Sequence, residues 1–152
     1  MIDSLFVLTE GGDVLIEKHW RGRKKRGEIC DAFMEFVAKA SRPEEVLPVL
    51  ETPETYLLNI FRHRMFFVGS TDTESPPLMA IEFMQRVVEV LFDYFGGKLS
   101  AAAVRDNFVT VYQLLDEMLD NGSPLVRPYP AKGHRVLPPV GTAAAAATSA
   151  WW

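Results

Sequence analysis

The chain has 152 residues, 48% hydrophobic and 24% charged, with a formal net charge of −4 at neutral pH; this is the balance of one soluble globular domain. The acidic excess argues against general nucleic-acid binding, which needs a net basic face, and the single cysteine, Cys30, excludes an intramolecular disulfide or a CxxC pair and fits a reducing compartment. The N-terminus carries no basic-then-apolar leader and no run of about 18 apolar residues occurs, so any membrane contact is expected to be peripheral.

Residues Ile2 to Thr9 and Asp13 to Trp20 are β-rich runs around Glu10-Gly11-Gly12, where glycine supplies the positive φ of a tight hairpin. Leu5-Phe6-Val7-Leu8 is apolar at every position, which places that strand mid-sheet with helices on both faces. A basic turn, Arg21 to Arg26, leads into a helix over Ile29 to Ala40, where Ile29, Phe33, Phe36, Val37 and Ala40 recur at helical spacing until Pro43 closes it. Val46 to Leu50 reads as a short edge strand, because Pro48 is tolerable only at an edge. Thr55 to Phe61 and Met65 to Val68 form a second hairpin around Arg62-His63-Arg64, followed by a polar loop from Gly69 to Ser75.

Ser75-Pro76 reads as a cap with proline in the first turn, opening a helix over Leu78 to Phe95 that Gly96-Gly97 stops. A last helix is expected from about Ser100 to Asp120, ended by Asn121-Gly122. The order ββα, strands, αα predicts an α+β domain with helices around a mostly antiparallel sheet. After Pro124 the composition turns to four prolines, two glycines and the Ala143 to Ala147 run, which predicts a disordered Pro/Ala-rich tail over 126–152 beyond a domain at 1–125.

The two C-terminal helices carry more apolar surface than a sheet requires. In the first, Ile81, Met84, Val88, Leu91 and Phe95 form one line, while Phe83, Val87, Val90 and Tyr94 form another; an amphipathic helix needs an apolar arc of only about 100° or slightly more. In the second, Val104, Phe108, Val111, Leu115 and Met118 make the sheet-facing line, with Val109, Tyr112 and Leu119 besides. The surplus has two outlets: the helices pack on each other, or a partner protein covers it. On the second reading Phe83, Val87, Val90, Tyr94, Val109, Tyr112 and Leu119 are the partner-binding candidates.

Chemistry is hard to find. His19, His63 and His134 have no metal-binding spacing, and no GxSxG, P-loop or GxGxxG pattern occurs. Asp116 and Glu117 are adjacent on a helix and diverge, so they cannot flank one substrate. No catalytic residue, metal site, cofactor or small-molecule substrate is expected. Arg21, Arg23, Lys24, Lys25 and Arg26 put five basic residues in six positions; they read as a solvated loop or as a contact with an anionic membrane surface.

The stretch Arg105-Asp106-Asn107-Phe108-Val109, continuing through Tyr112-Gln113-Leu114-Leu115-Asp116-Glu117 to Asp120-Asn121-Gly122, resembles the last helix of the N-terminal longin domain of adaptor-complex medium (mu) subunits. Glu17 to Arg21, Thr52 to Leu57, Phe66-Phe67-Val68 and Glu74 to Leu78 are similar to the mu subunit of the third adaptor complex in particular. The resemblance implies a longin (profilin-like) fold: a five-stranded antiparallel sheet with one helix on one face and two on the other. It also implies docking to a large beta-type subunit within a heterotetrameric vesicle coat adaptor, on the cytoplasmic side of Golgi and endosomal membranes. Family members continue into a cargo-binding domain that the tail here does not resemble, so no cargo-binding residue carries over. Competing readings are another longin-type trafficking protein (a SNARE or tethering-complex subunit), a truncated isoform without independent function, and a small α+β enzyme.

Overall fold

A computed structural model describes residues 2–22, 26–71, 76–120 and 123–124. Five strands form one antiparallel sheet: β1 (Ser4–Thr9), β2 (Val14–His19), β3 (Val49–Glu51), β4 (Tyr56–Arg62) and β5 (Met65–Thr71), in the order β2-β1-β5-β4-β3. The helices are α1 (Arg26–Lys39), α2 (Pro77–Tyr94), α3 (Ala101–Asp106) and α4 (Phe108–Met118). A single 3₁₀ turn covers Pro43–Glu45, and β6 (Leu119–Asp120) pairs with β7 (Ser123–Pro124) beyond α4.

The doubly apolar run at Leu5 to Leu8 lies where its composition requires. β1 sits between β2 and β5 with Ser4 opposite both His19 and Ser70. Phe6 and Leu8 join Phe33, Phe66 and Val68 in the core under α1, whereas Leu5 and Val7 join Phe67, Met84 and Leu115 in the larger core under α2 and α4. Alternation along one strand thus feeds two cores. The β1–β2 turn uses Gly12 at φ +95°, a conformation open to glycine without Cβ strain.

The β4–β5 hairpin turns at His63 and Arg64, both left-handed, with φ of 53° and 60°. Two consecutive non-glycine residues at positive φ are the geometry of a type I′ hairpin turn, which favours Asn-Gly. At the tip the His63 ring stacks on Phe92 of α2 at 5.2 Å, and Arg64, at the surface, reaches Glu10 at 3.0 Å.

The structure corrects the expected elements at four places, the first being the edge strand expected over Val46 to Leu50, which begins only after Pro48, at Val49, and runs to Glu51. β5 continues through Gly69, Ser70 and Thr71, expected to be loop, because their backbone groups complete the ladders to β1 and β4. The expected single helix from Ser100 to Asp120 is two: Ser100 caps α3 by accepting from Ala103 N–H at 3.1 Å, but the chain breaks at Asn107 (φ −126°, ψ 32°). There the Asn107 amide donates back to the Ala103 carbonyl at 2.9 Å, the local side-chain competition that disfavours asparagine inside helices. Finally, α4 stops at Met118 and Leu119 is extended. Ser75, proposed as a helix cap, and Asn121-Gly122 lie outside the described residues, as do 126–152.

Candidate docking surface

The helical surplus has gone mostly into the domain itself. Phe83, Val87, Val90, Tyr94 and Leu119, expected on an outward face, are buried in the core beneath α2 and α4. The reason is layering: α2 packs on β4 and β5 and also against α4, so both of its apolar lines find cover. As free docking residues these five are corrected. Tyr112 is half-buried with its ring packed against the same core. Only Val109 among the expected set stands out, at 56% exposure.

Beside it is Phe108, 51% exposed. Its expected place on the sheet-facing line was wrong, because the break at Asn107 resets the helical phase and turns the first residues of α4 outward. Leu78 and Met79 in the first turn of α2 and Phe92 near its end are also exposed large hydrophobics. Periodicity alone could not find them, since it assumes an unbroken helix and says nothing about which turn overhangs the sheet.

A polar network fastens α4 and the start of α1 to β2. The Glu17 amide donates to the Tyr112 hydroxyl at 3.1 Å, and that hydroxyl donates to the Glu17 carbonyl at 3.0 Å. Lys18 pairs with Asp116 at 2.5 Å. On the α1 side the Glu17 carboxylate meets His19 Nε2 at 2.8 Å and accepts from Arg26 Nε at 2.6 Å, while His19 Nδ1 is hydrogen-bonded to Ser4 Oγ at 2.7 Å. Burial would raise the Glu17 pKa, but the bonds from His19 and Arg26 outweigh it and hold the carboxyl below its ordinary value. Of the basic run, Arg21 is exposed and Arg26 is engaged with Glu17; Arg23, Lys24 and Lys25 lie outside the described residues.

Ser4, His19 and Glu17 have the connectivity of a nucleophile, a base and an orienting carboxylate. However, Ser4 is 1% exposed inside the sheet, so no carbonyl carbon can approach its oxygen. Burial pushes the Cys30 thiol up to about 11, keeping it protonated and unreactive at neutral pH. An open cleft between α1 and the β3–β4 turn is lined by Glu28, Ile29, Ala32, Thr52, Pro53 and Glu54, without a histidine or cysteine. Among the described residues no cluster of His, Cys, Asp or Glu is built to hold a metal, and no helix is long and apolar enough to cross a membrane.

A central antiparallel sheet with α1 on one face and α2 and α4 on the other is the longin-type architecture of adaptor subunits. The sequence pattern of the clathrin adaptor complex small chain family matches residues 1–126, and the chain belongs to that family. It is 49% identical over 125 residues to AP-3 complex subunit mu-2 of Homo sapiens and 50% identical over 125 residues to AP-3 complex subunit mu-1 of Bos taurus. Each match covers 82% of this chain and 29% of the mu subunit, so the chain spans under a third of the length of these relatives. A chain in the structure titled "Homology model of the full-length AP-3 complex in a stretched open conformation" superposes with a TM-score of 0.67 at 14% identity, covering 84% of this chain and 85% of that one. That likeness concerns the fold alone.

Proposed function

We propose that this chain is a non-catalytic subunit of a heterotetrameric vesicle coat adaptor, serving intracellular protein transport by docking to a large beta-type subunit and thereby joining the other adaptor subunits. The observation that carries this reading is the identity of half the residues over 125 positions with AP-3 mu subunits. The exposed apolar pair Phe108 and Val109 is the surface we assign to the contact, since a protein partner removes such side chains from water. The chain then sits peripherally on Golgi and endosomal membranes, and the basic run from Arg21 to Arg26 faces the anionic lipid surface.

Co-purification from cell extract tests this directly. The wild-type chain should recover a large adaptor subunit, and the double variant Phe108→Asp, Val109→Asp should recover much less while keeping its thermal stability, because both positions are exposed. A folded wild-type chain that recovers no adaptor subunit removes the function. Undiminished recovery by the double variant removes the assigned surface.

A further inference from the structure

The two edges of the five-stranded sheet are finished differently. On β2 the outward backbone groups of Glu17 are both taken by the Tyr112 hydroxyl, and α4 is tied alongside through Lys18 and Asp116. On β3 nothing comparable is present among the described residues. Asn59 N–H donates to the Pro48 carbonyl at 2.9 Å and Thr52 N–H to the Thr55 carbonyl at 2.9 Å, bracketing the ladder in which Leu50 faces Leu57. In an antiparallel ladder the intervening residues turn their N–H and C=O groups the other way. Val49 and Glu51 therefore present two donors and two acceptors to the open side.

That edge is anchored from within the sheet and has a distinct chemical character. The buried Asn59 side chain donates to the Leu47 carbonyl at 2.6 Å, pinning the segment before β3. Leu47 is 67% exposed and Val49 38% exposed, large apolar side chains two residues apart beside open backbone groups. The surroundings are acidic: Glu44, Glu45 and Glu51 are exposed, and no lysine or arginine occurs between Arg42 and Arg62. Pro48 and Pro53 confine the exposed ladder to three residues, which limits edge-to-edge polymerisation of the chain with itself.

We propose that the outer edge of β3 binds an extended segment of a partner protein that carries one lysine or arginine and two apolar residues at alternate positions, on one face of the added strand. The segment adds a sixth strand through the backbone groups of Val49 and Glu51, sets its two apolar side chains beside Leu47 and Val49, and places its cation beside Glu51 on that same face. The proposal is independent of adaptor assembly and is tested without any adaptor subunit.

The probe is an acetylated, amidated heptapeptide with lysine, valine and valine at positions 2, 4 and 6, opposite Glu51, Val49 and Leu47 in an antiparallel register, and threonine elsewhere, titrated into the isotope-labelled full chain to about 1 mM, a range that reaches weak strand addition. The expected result is saturable shifts of the Leu47, Val49 and Glu51 amides that weaken with salt. Methylating the peptide nitrogens that face β3 should abolish the shifts, and methylating the alternate nitrogens should not. Replacing lysine by glutamate in the peptide, or Glu51→Lys in the protein, should weaken binding about tenfold or more. Val49→Pro, which removes an outward donor that an edge strand can lose, should also abolish it; if that variant fails to fold, the methylated peptides and Glu51→Lys decide. No shift at β3, shifts centred elsewhere, or equal binding by the β3-facing methylated or the glutamate peptide overturns the proposal.

Discussion

The phenolic oxygen of Tyr112 lies between the two backbone polar groups of Glu17, 3.1 Å from its nitrogen and 3.0 Å from its carbonyl oxygen, across 95 residues of sequence. One side-chain atom thereby satisfies a donor and an acceptor that a sheet edge would leave open. Tyr112→Phe keeps the ring in the core but loses both bonds, so it should lower unfolding stability by about 1–3 kcal/mol in urea titrations. Unchanged stability would mean that water replaces the hydroxyl without loss.

Ser4 and Ser70 are neighbours across β1 and β5, both 1% exposed, yet their substitution by alanine should act in opposite directions. Ser4 Oγ is hydrogen-bonded to His19, so Ser4→Ala leaves a ring nitrogen unpaired and should destabilise by about 1–2 kcal/mol. Ser70 Oγ has no hydrogen-bond partner among the described residues, so Ser70→Ala removes an unsatisfied buried hydroxyl and should be neutral or stabilising. Thermal melts of the two variants side by side settle the sign.

Arg64 occupies the left-handed region at φ 60°, where an L residue is strained and glycine is not. Its pair with Glu10 is at the surface, the arginine side chain 86% exposed, and contributes little there. Arg64→Gly should therefore raise stability by about 0.5–1 kcal/mol, with no change in the β4–β5 register seen by NMR.

Acid should loosen the β2–α1 junction through Glu17. Its folded-state pKa lies below the ordinary carboxylate value of 4.5, so below that pH the unfolded chain binds the proton more readily. The resulting stabilisation is complete above 4.5 and disappears as pH falls through the folded value. Glu17→Gln should accordingly be less stable than wild type at neutral pH, with the gap narrowing in acid. A constant difference between the two denaturation curves from neutral pH into acid would refute this role.

Much of the fold could be read from side-chain order alone. The unbroken apolar run at Leu5 to Leu8 reports a strand covered on both faces, and Glu10-Gly11-Gly12 reports the hairpin beside it. What escaped depends on partners far away in sequence. Gly69-Ser70-Thr71 look like loop until β1 and β4 supply their hydrogen bonds, and Asn107 looks helical until its own amide turns back on Ala103. The candidate surface suffered most, because that break reverses Phe108 while the packing of α2 on the sheet and on α4 encloses Val87 and Val90. Burial is a property of the assembled layers, which no single helix records.

The position of β1 also sets an order on synthesis. Its hairpin with β2 is complete once His19 has been made, but its other neighbour, β5, begins only at Met65. At roughly 5–20 residues per second, the ribosome leaves that flank of β1 exposed for seconds. A nascent chain stalled before β5 should thus be a chaperone client, and the full chain, with β5 paired and α2 and α4 over the sheet, should not, a difference that crosslinking to ribosome-bound chaperones would register.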